Sequence, residues 1–284
     1  MIRPLLVALA AFILAAAVQP LLATHPTGPF GRDPRLFERV LIPIYTNRIS
    51  EGVFGSQWTE TVMIHNGGNE AFVVEPTFCD LPVCPPTPPR IAPGATTEMD
   101  LLGIRGSSSF PGVLIFIPRT VAKDVVITER IHELTRASMT WGTEIPIVRE
   151  NDWIVGDSID LLNVPLGDPA FRVMLRVYSV PFPGCDFETC VVPVDVDIYE
   201  QSGEASRPDV LVGQARATIG FGHWWSGFHP GYVQFPGLHQ QVAGLSAAAR
   251  YRLSVRAAGA GAPLWAFAAI TNNATQHVTI AQPR

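Results

Sequence analysis

The chain has 284 residues and a net charge of −5, with 47% apolar and 16% charged residues, 26 prolines and 24 glycines. That length carries two domains of ordinary size or one large one, and short apolar segments bounded by turn residues exclude a coiled coil and argue against disorder. The acidic balance makes nucleic acid a poor partner, because nonspecific binding there depends on releasing counterions from phosphate.

Residues 1–23 read as a secretory signal, with Arg3 in a basic n-region, an apolar core over 5–18 and small residues at Ala15, Ala16, Ala17 and Ala23. The core falls short of the roughly 20 residues a membrane span needs, and no later apolar run is long enough to hold the mature chain in a bilayer. The implied location is the periplasm or the medium. Lys123 is the only lysine among 20 basic residues, an arginine bias that reads as GC-rich bacterial coding. Residues 24–38 hold prolines and glycines without a sustained period, an exposed lead-in.

From residue 39 the patterns are those of strands. Apolar runs at 40–45 and 58–64 flank a turn with Gly52 and Gly55; Asn66-Gly67-Gly68-Asn69 turns the chain into 71–75. Pro85, Pro86, Pro88 and Pro89 bar a central strand. Residues 97–102 alternate, 113–117 are continuously apolar as in a strand buried on both faces, and 125–132 and 143–148 complete a first domain over 39–150. Residues 149–152 are the expected linker, although the apolar stretch 153–155 indicates that the two units touch.

The second domain, 151–284, alternates more cleanly. Phe171, Val173, Leu175 and Val177 oppose Arg172, Met174, Arg176 and Tyr178; Val194, Val196 and Ile198 oppose Asp195, Asp197 and Tyr199; Tyr251, Leu253 and Val255 oppose Arg250, Arg252, Ser254 and Arg256. Each pattern predicts an antiparallel strand with one wet face. Residues 264–270 are again continuously apolar and turn into a last strand, 277–281. The segments 113–128 and 264–280 share the order buried strand, polar turn, alternating strand, a weak internal repeat. The expected class is all-β: two tandem antiparallel sandwiches.

The run Gly52-Val53-Phe54-Gly55-Ser56-Gln57-Trp58-Thr59-Glu60-Thr61, ending in His65-Asn66, and the C-terminal stretch from Ala266 to Thr279 resemble a group of exported bacterial proteins with Ig-like β-sandwich domains. The resemblance implies fold and export, and it brings no catalytic residues.

Two loops share the form Cys-Asp-x-x-x-Cys: Cys79 with Cys84, and Cys185 with Cys190. In an oxidising compartment each pair reads as a local disulfide, worth about 2 kcal/mol in the chain-entropy picture. A four-thiolate zinc site across the halves and cross-pairing between loops are the alternatives. The Gly220–Tyr232 loop is the most unusual stretch: Trp224, Trp225, Phe228, His229 and Tyr232 suit an exposed platform for a glycan or an extracellular protein, or else plug a sandwich end. His223, His229 and His239 are spaced without a recognised ligand geometry, so no metal or other cofactor is implied.

Asp195 and Asp197 share one strand face, where Arg172 and Arg176 or the Arg250, Arg252, Arg256 stripe are expected to pair with them. His132-Glu133 lacks the second histidine of a zinc peptidase, and Gly106-Ser107-Ser108-Ser109 lacks a hydrolase elbow. The expected function is a noncatalytic structural or binding module of the cell exterior. A carbohydrate-binding protein using the aromatic loop, or a secreted hydrolase, are the other readings.

Overall fold

The computed structural model describes residues 33–46, 49–76, 90–99, 109–110, 112–135, 142–182, 185, 190–221, 230–259 and 261–283. The chain is nearly all β, in several antiparallel sheets. In chain order the strands of the first half are β1 (Phe37–Ile42), β2 (Tyr45–Thr46), β3 (Ser50–Glu51), β4 (Gln57–Asn66), β5 (Phe72–Val73), β6 (Glu75–Pro76), β7 (Arg90–Ile91), β8 (Thr96–Glu98), β9 (Ser109–Phe110), β10 (Val113–Pro118), β11 (Val125–Glu133) and β12 (Thr143–Ile145). One helical turn, α1 (Arg119–Ala122), separates β10 from β11. The second half holds β13 (Ile154–Val155), β14 (Ile159–Val164), β15 (Phe171–Ser179), β16 (Val191–Glu200), β17 (Val210–Gly220), β18 (Gly231–Phe235), α2 (Leu238–Gln241), β19 (Tyr251–Ala257), β20 (Pro263–Asn272) and β21 (Val278–Ala281).

In the first half a sheet ordered β1-β10-β6 faces a second ordered β12-β11-β4-β3, with β8 also on β4. Between them lies a core of Val40, Ile42, Val62, Ile64, Val113, Ile115, Ile117, Val125 and Ile127, among others. In the second half nine strands form one sheet, β13-β20-β15-β18-β17-β16-β19-β14, with β21 on β20. It folds around its own core, to which β14, β15, β16, β17, β19 and β20 all contribute. The step from β17 to β18 is a single residue pair, Gly220 with Tyr232, and is where the sheet turns.

The two continuously apolar runs are buried on both faces. In β10, Val113, Ile115 and Ile117 enter the first core, while Leu114 and Phe116 point the other way. In β20, Leu264, Ala266, Ala268 and Ile270 enter the second core, and Trp265, Phe267 and Ala269 point outward. These outward sets meet. Leu41, Leu114, Phe116, Val148, Tyr178, Trp265 and Phe267 form a third apolar cluster shared by the two halves. Trp58 of β4 and Ile131 of β11 also pack on this cluster.

The two segments with a common sequence shape differ in topology. β20 and β21 pair as a hairpin, whereas β10 pairs with β1 and β6 and β11 with β4 and β12, so α1 carries the chain from one sheet to the other. The shape reflects burial on both faces of β10 and β20, and the turn between strands does different work in each. The expected linker is a 3-10 turn, Glu150–Asp152. Beside it Arg149 pairs with Glu38 at 2.7 Å, and Trp153 packs on the shared apolar layer.

Strands β14, β17 and β18 have no counterpart among the sequence expectations. In β17 the inward residues include the small Ala215, and Gly213 sits where a side chain would strike Val242 after α2, so apolar alternation there is faint.

Candidate functional site

A cleft of about 530 Å³ opens where the two halves leave the shared layer. Its floor is the outward face of β15, where period-two alternation sets Arg172, Met174 and Arg176 in a row opposite the inward Val173, Leu175 and Val177. β18 adds Tyr232 and Gln234 on one side, and β20 adds Ala269 and Thr271 on the other, the register pairing Arg176 with Gln234 and Met174 with Ala269. The roof comes from the first half: Ile44, Trp58, Thr59, Ile131 and the turn from Ser50 to Val53.

That turn is tightly built. Gly52 donates to the Ser56 carbonyl at 2.8 Å, Trp58 Nε1 donates to Ser56 Oγ at 3.0 Å, and any side chain at Gly52 would run into Ser56 and Trp58. Phe54 is held at φ 57°, in the left-handed region that a bulky aromatic rarely occupies. Val53 and Phe54 stand 54% and 65% exposed at the mouth, and the Arg172 guanidinium lies 5.9 Å from the Phe54 ring centre. Arg172 also donates to Asn273 Oδ1 at 3.1 Å and to Gln276 Oε1.

On the roof strands β4 and β11 lies a buried polar group. The β4–β11 register sets Ile131 opposite Glu60 and Val62 opposite Glu129, so both carboxylates stand on one face as diagonal neighbours. Glu129 is fully buried; its Oε1 accepts from the Ile44 amide at 3.1 Å, and its Oε2 has no partner among the described residues. Burial, reinforced by the Glu60 charge, pushes the Glu129 carboxyl well above the ordinary range, against the opposing Ile44 amide and the Arg176 charge. Tyr178 is buried as well and donates to the Pro43 carbonyl. Burial raises its pKa to about 12, although the Arg176 charge and hydrogen bond act the other way.

No protein family, curated protein or solved structure matches the chain. The site therefore stands on its own residues.

Of the residues singled out in the sequence, Cys185 and Cys190 form a disulfide with Cα atoms 5.1 Å apart. Cys79 and Cys84 lie outside the described residues, as do Trp224, Trp225, Phe228 and His229. Tyr232 is described, 40% exposed, and lines the cleft. Among the described residues no group of three or more His, Cys, Asp or Glu side chains could hold a metal, and no helix is long and apolar enough to cross a membrane.

Of the two expected arginine sets, only Arg256 pairs with Asp195 and Asp197, and Asp195 is met more closely by Arg216, which neither set includes. Asp195 meets Arg216 at 2.6 Å and Arg256 at 3.9 Å, and Asp197 accepts from Gln214 at 2.6 Å and from Arg256. Burial alone would raise the Asp197 pKa; the Gln214 and Arg256 hydrogen bonds together outweigh it and hold the carboxyl below its ordinary value. Arg172 and Arg176 are on a different face, in the cleft floor, because β15 turns that face toward the first half. Their alternation was read as a wet face, and the covering partner is what a single strand's pattern leaves unstated. The Gly52–Thr61 run, read as turn and core, supplies the cleft roof.

Proposed function

We propose that the protein is an exported, noncatalytic binding module built on paired Ig-like sandwiches, and that the cleft between its halves takes the ligand. The observation that carries this reading is the cleft itself. A concavity of about 530 Å³ with apolar walls and a few convergent polar side chains has the size and lining of a small-molecule site. The Cys185–Cys190 disulfide accords with an oxidising compartment outside the cytoplasm, to which residues 1–23 would direct the chain as a secretory signal.

Hydrolysis by a carboxylate pair is disfavoured by placement. Glu51 is the one acidic side chain in the lining among the described residues, and Glu129 is buried out of reach of a solute. A second reading, glycan binding through the Gly220–Tyr232 loop, is favoured by one observation: Tyr232, at the end of that loop, lies in the cleft wall.

A thermal-shift screen of Met174→Trp beside the natural protein tests the reading, with a panel spanning acids, amines, neutral aromatics and oligosaccharides. Compounds that raise the melting temperature of the natural protein are expected to lose their effect in the variant, whose cleft is filled. A panel with no active compound, or equal shifts in both proteins, would contradict it.

A further inference from the structure

We infer that the cleft takes a small amphipathic anion, a molecule with an apolar or aromatic body and one carboxylate or similar head, and that Arg176 reads the head while Arg172 adds positive charge at the entrance. This rests on the cleft being the binding site.

The walls set the body. Ile44, Trp58, Ile131 and Met174 offer apolar surface from both halves, which favours a hydrocarbon or ring over a polar chain. Val53, Phe54 and Tyr232 extend that surface to the mouth as exposed apolar side chains. Backbone strain of the kind Phe54 carries concentrates at ligand contacts.

The floor sets the head. Arg172 and Arg176 are four residues apart on one strand face, about 13 Å at the rise of a strand, with Met174 between them. Against them the lining sets, among the described residues, a single acid, Glu51, which is exposed. Glu129 lies close enough to Arg176 to feel its charge, and burial holds its carboxyl well above the ordinary range. Arg176 also carries a buried donor, Nη1, with no acceptor among the described residues. Buried donors are nearly always satisfied, and a carboxylate offers the two oxygens that a guanidinium fork accommodates. Arg176 itself is part of the cleft lining. At the other end Arg172 is held by Asn273, Gln276 and the Phe54 ring, a fixed cation at the entrance.

Isothermal titration with decanoate and decylammonium tests the inference on the full-length mature protein, together with Arg176→Gln, Arg172→Gln and Met174→Trp. Decanoate is expected to bind one to one and at least about tenfold more tightly than decylammonium. That preference should collapse in Arg176→Gln and shrink in Arg172→Gln, and Met174→Trp should abolish binding. Near-ultraviolet circular dichroism confirms the fold of each variant; if Arg176→Gln is misfolded, Arg172→Gln decides.

Equal affinities, a preference for the amine, or a preference unmoved by the arginine variants would overturn the ligand class while leaving the cleft as the site, provided Met174→Trp still abolishes binding. No heat with either probe would also overturn the class, and the compound screen would then judge the cleft alone. Sedimentation with phosphatidylglycerol vesicles separates a free acid from a bilayer lipid: no cosedimentation is expected, and cosedimentation lost in Met174→Trp would overturn the free-acid form.

Discussion

Glu129 shows how a single side chain reports on the contact between halves. It stands on β11 of the first half, takes the amide of Ile44, and feels the charge of Arg176 from β15 of the second. Its pKa is raised in the folded chain relative to the unfolded one, so its contribution to stability is complete below the ordinary carboxylate value and is lost as pH climbs through the folded value. Glu129→Gln keeps an oxygen for the Ile44 amide and removes the titration. The variant is expected to gain in melting temperature over the natural protein at pH 8 and to show little difference at pH 4. A gain that is the same at both pH values would contradict a neutral, buried Glu129. Tyr178, which donates to the Pro43 carbonyl and accepts from Arg176, joins the same contact from the second half.

At the scale of elements, β10 and β20 hold the molecule together because each is apolar on both faces. Phe267 of β20 is fully buried, with its ring 6.3 Å from that of Tyr178 and 5.5 Å from that of Trp265. Phe267→Ala removes the centre of the shared layer and is expected to cost about 3–5 kcal/mol, read by urea denaturation. Because the layer belongs to both halves, the natural protein should unfold in one transition; a loss below about 1 kcal/mol would mean that the layer contributes little.

Burial of this kind was legible in the sequence. Continuous apolar runs at 113–117 and 264–270, the alternation of β15, β16 and β19, and the turn glycines all mark strands where strands occur. The pairing of Asp197 with Arg256 followed from facing alternating strands. The cleft was not legible, for a physical reason: Arg172, Met174 and Arg176 give the same pattern whether their face meets water or another sheet, and the difference lies in β4 and β11, far upstream in the chain. β17 escaped notice because Ala215 and Gly213 keep its inner face small where α2 and Val242 approach. The one local signal that pointed to the cleft was the Gly52–Trp58 turn, whose closely spaced glycines and aromatics mark a backbone held against a side chain.

For the whole molecule, two sheet-enclosed cores joined by a shared apolar cluster leave a cleft lined by both halves, the proposed place of binding. Polar ties also join the halves: Thr143 donates to the Val278 carbonyl at 2.9 Å, and Arg39 to the Pro181 carbonyl at 3.2 Å. Met174, in the middle of the floor, provides a direct reporter, since it lines the cleft whereas Met99 is buried in the core of the first half. The decisive measurement is a carbon-13 methionine-methyl NMR titration with decanoate. The Met174 resonance should shift saturably while Met99 stays in place; an unmoved Met174, or a Met99 that moves with it, would contradict binding in the cleft.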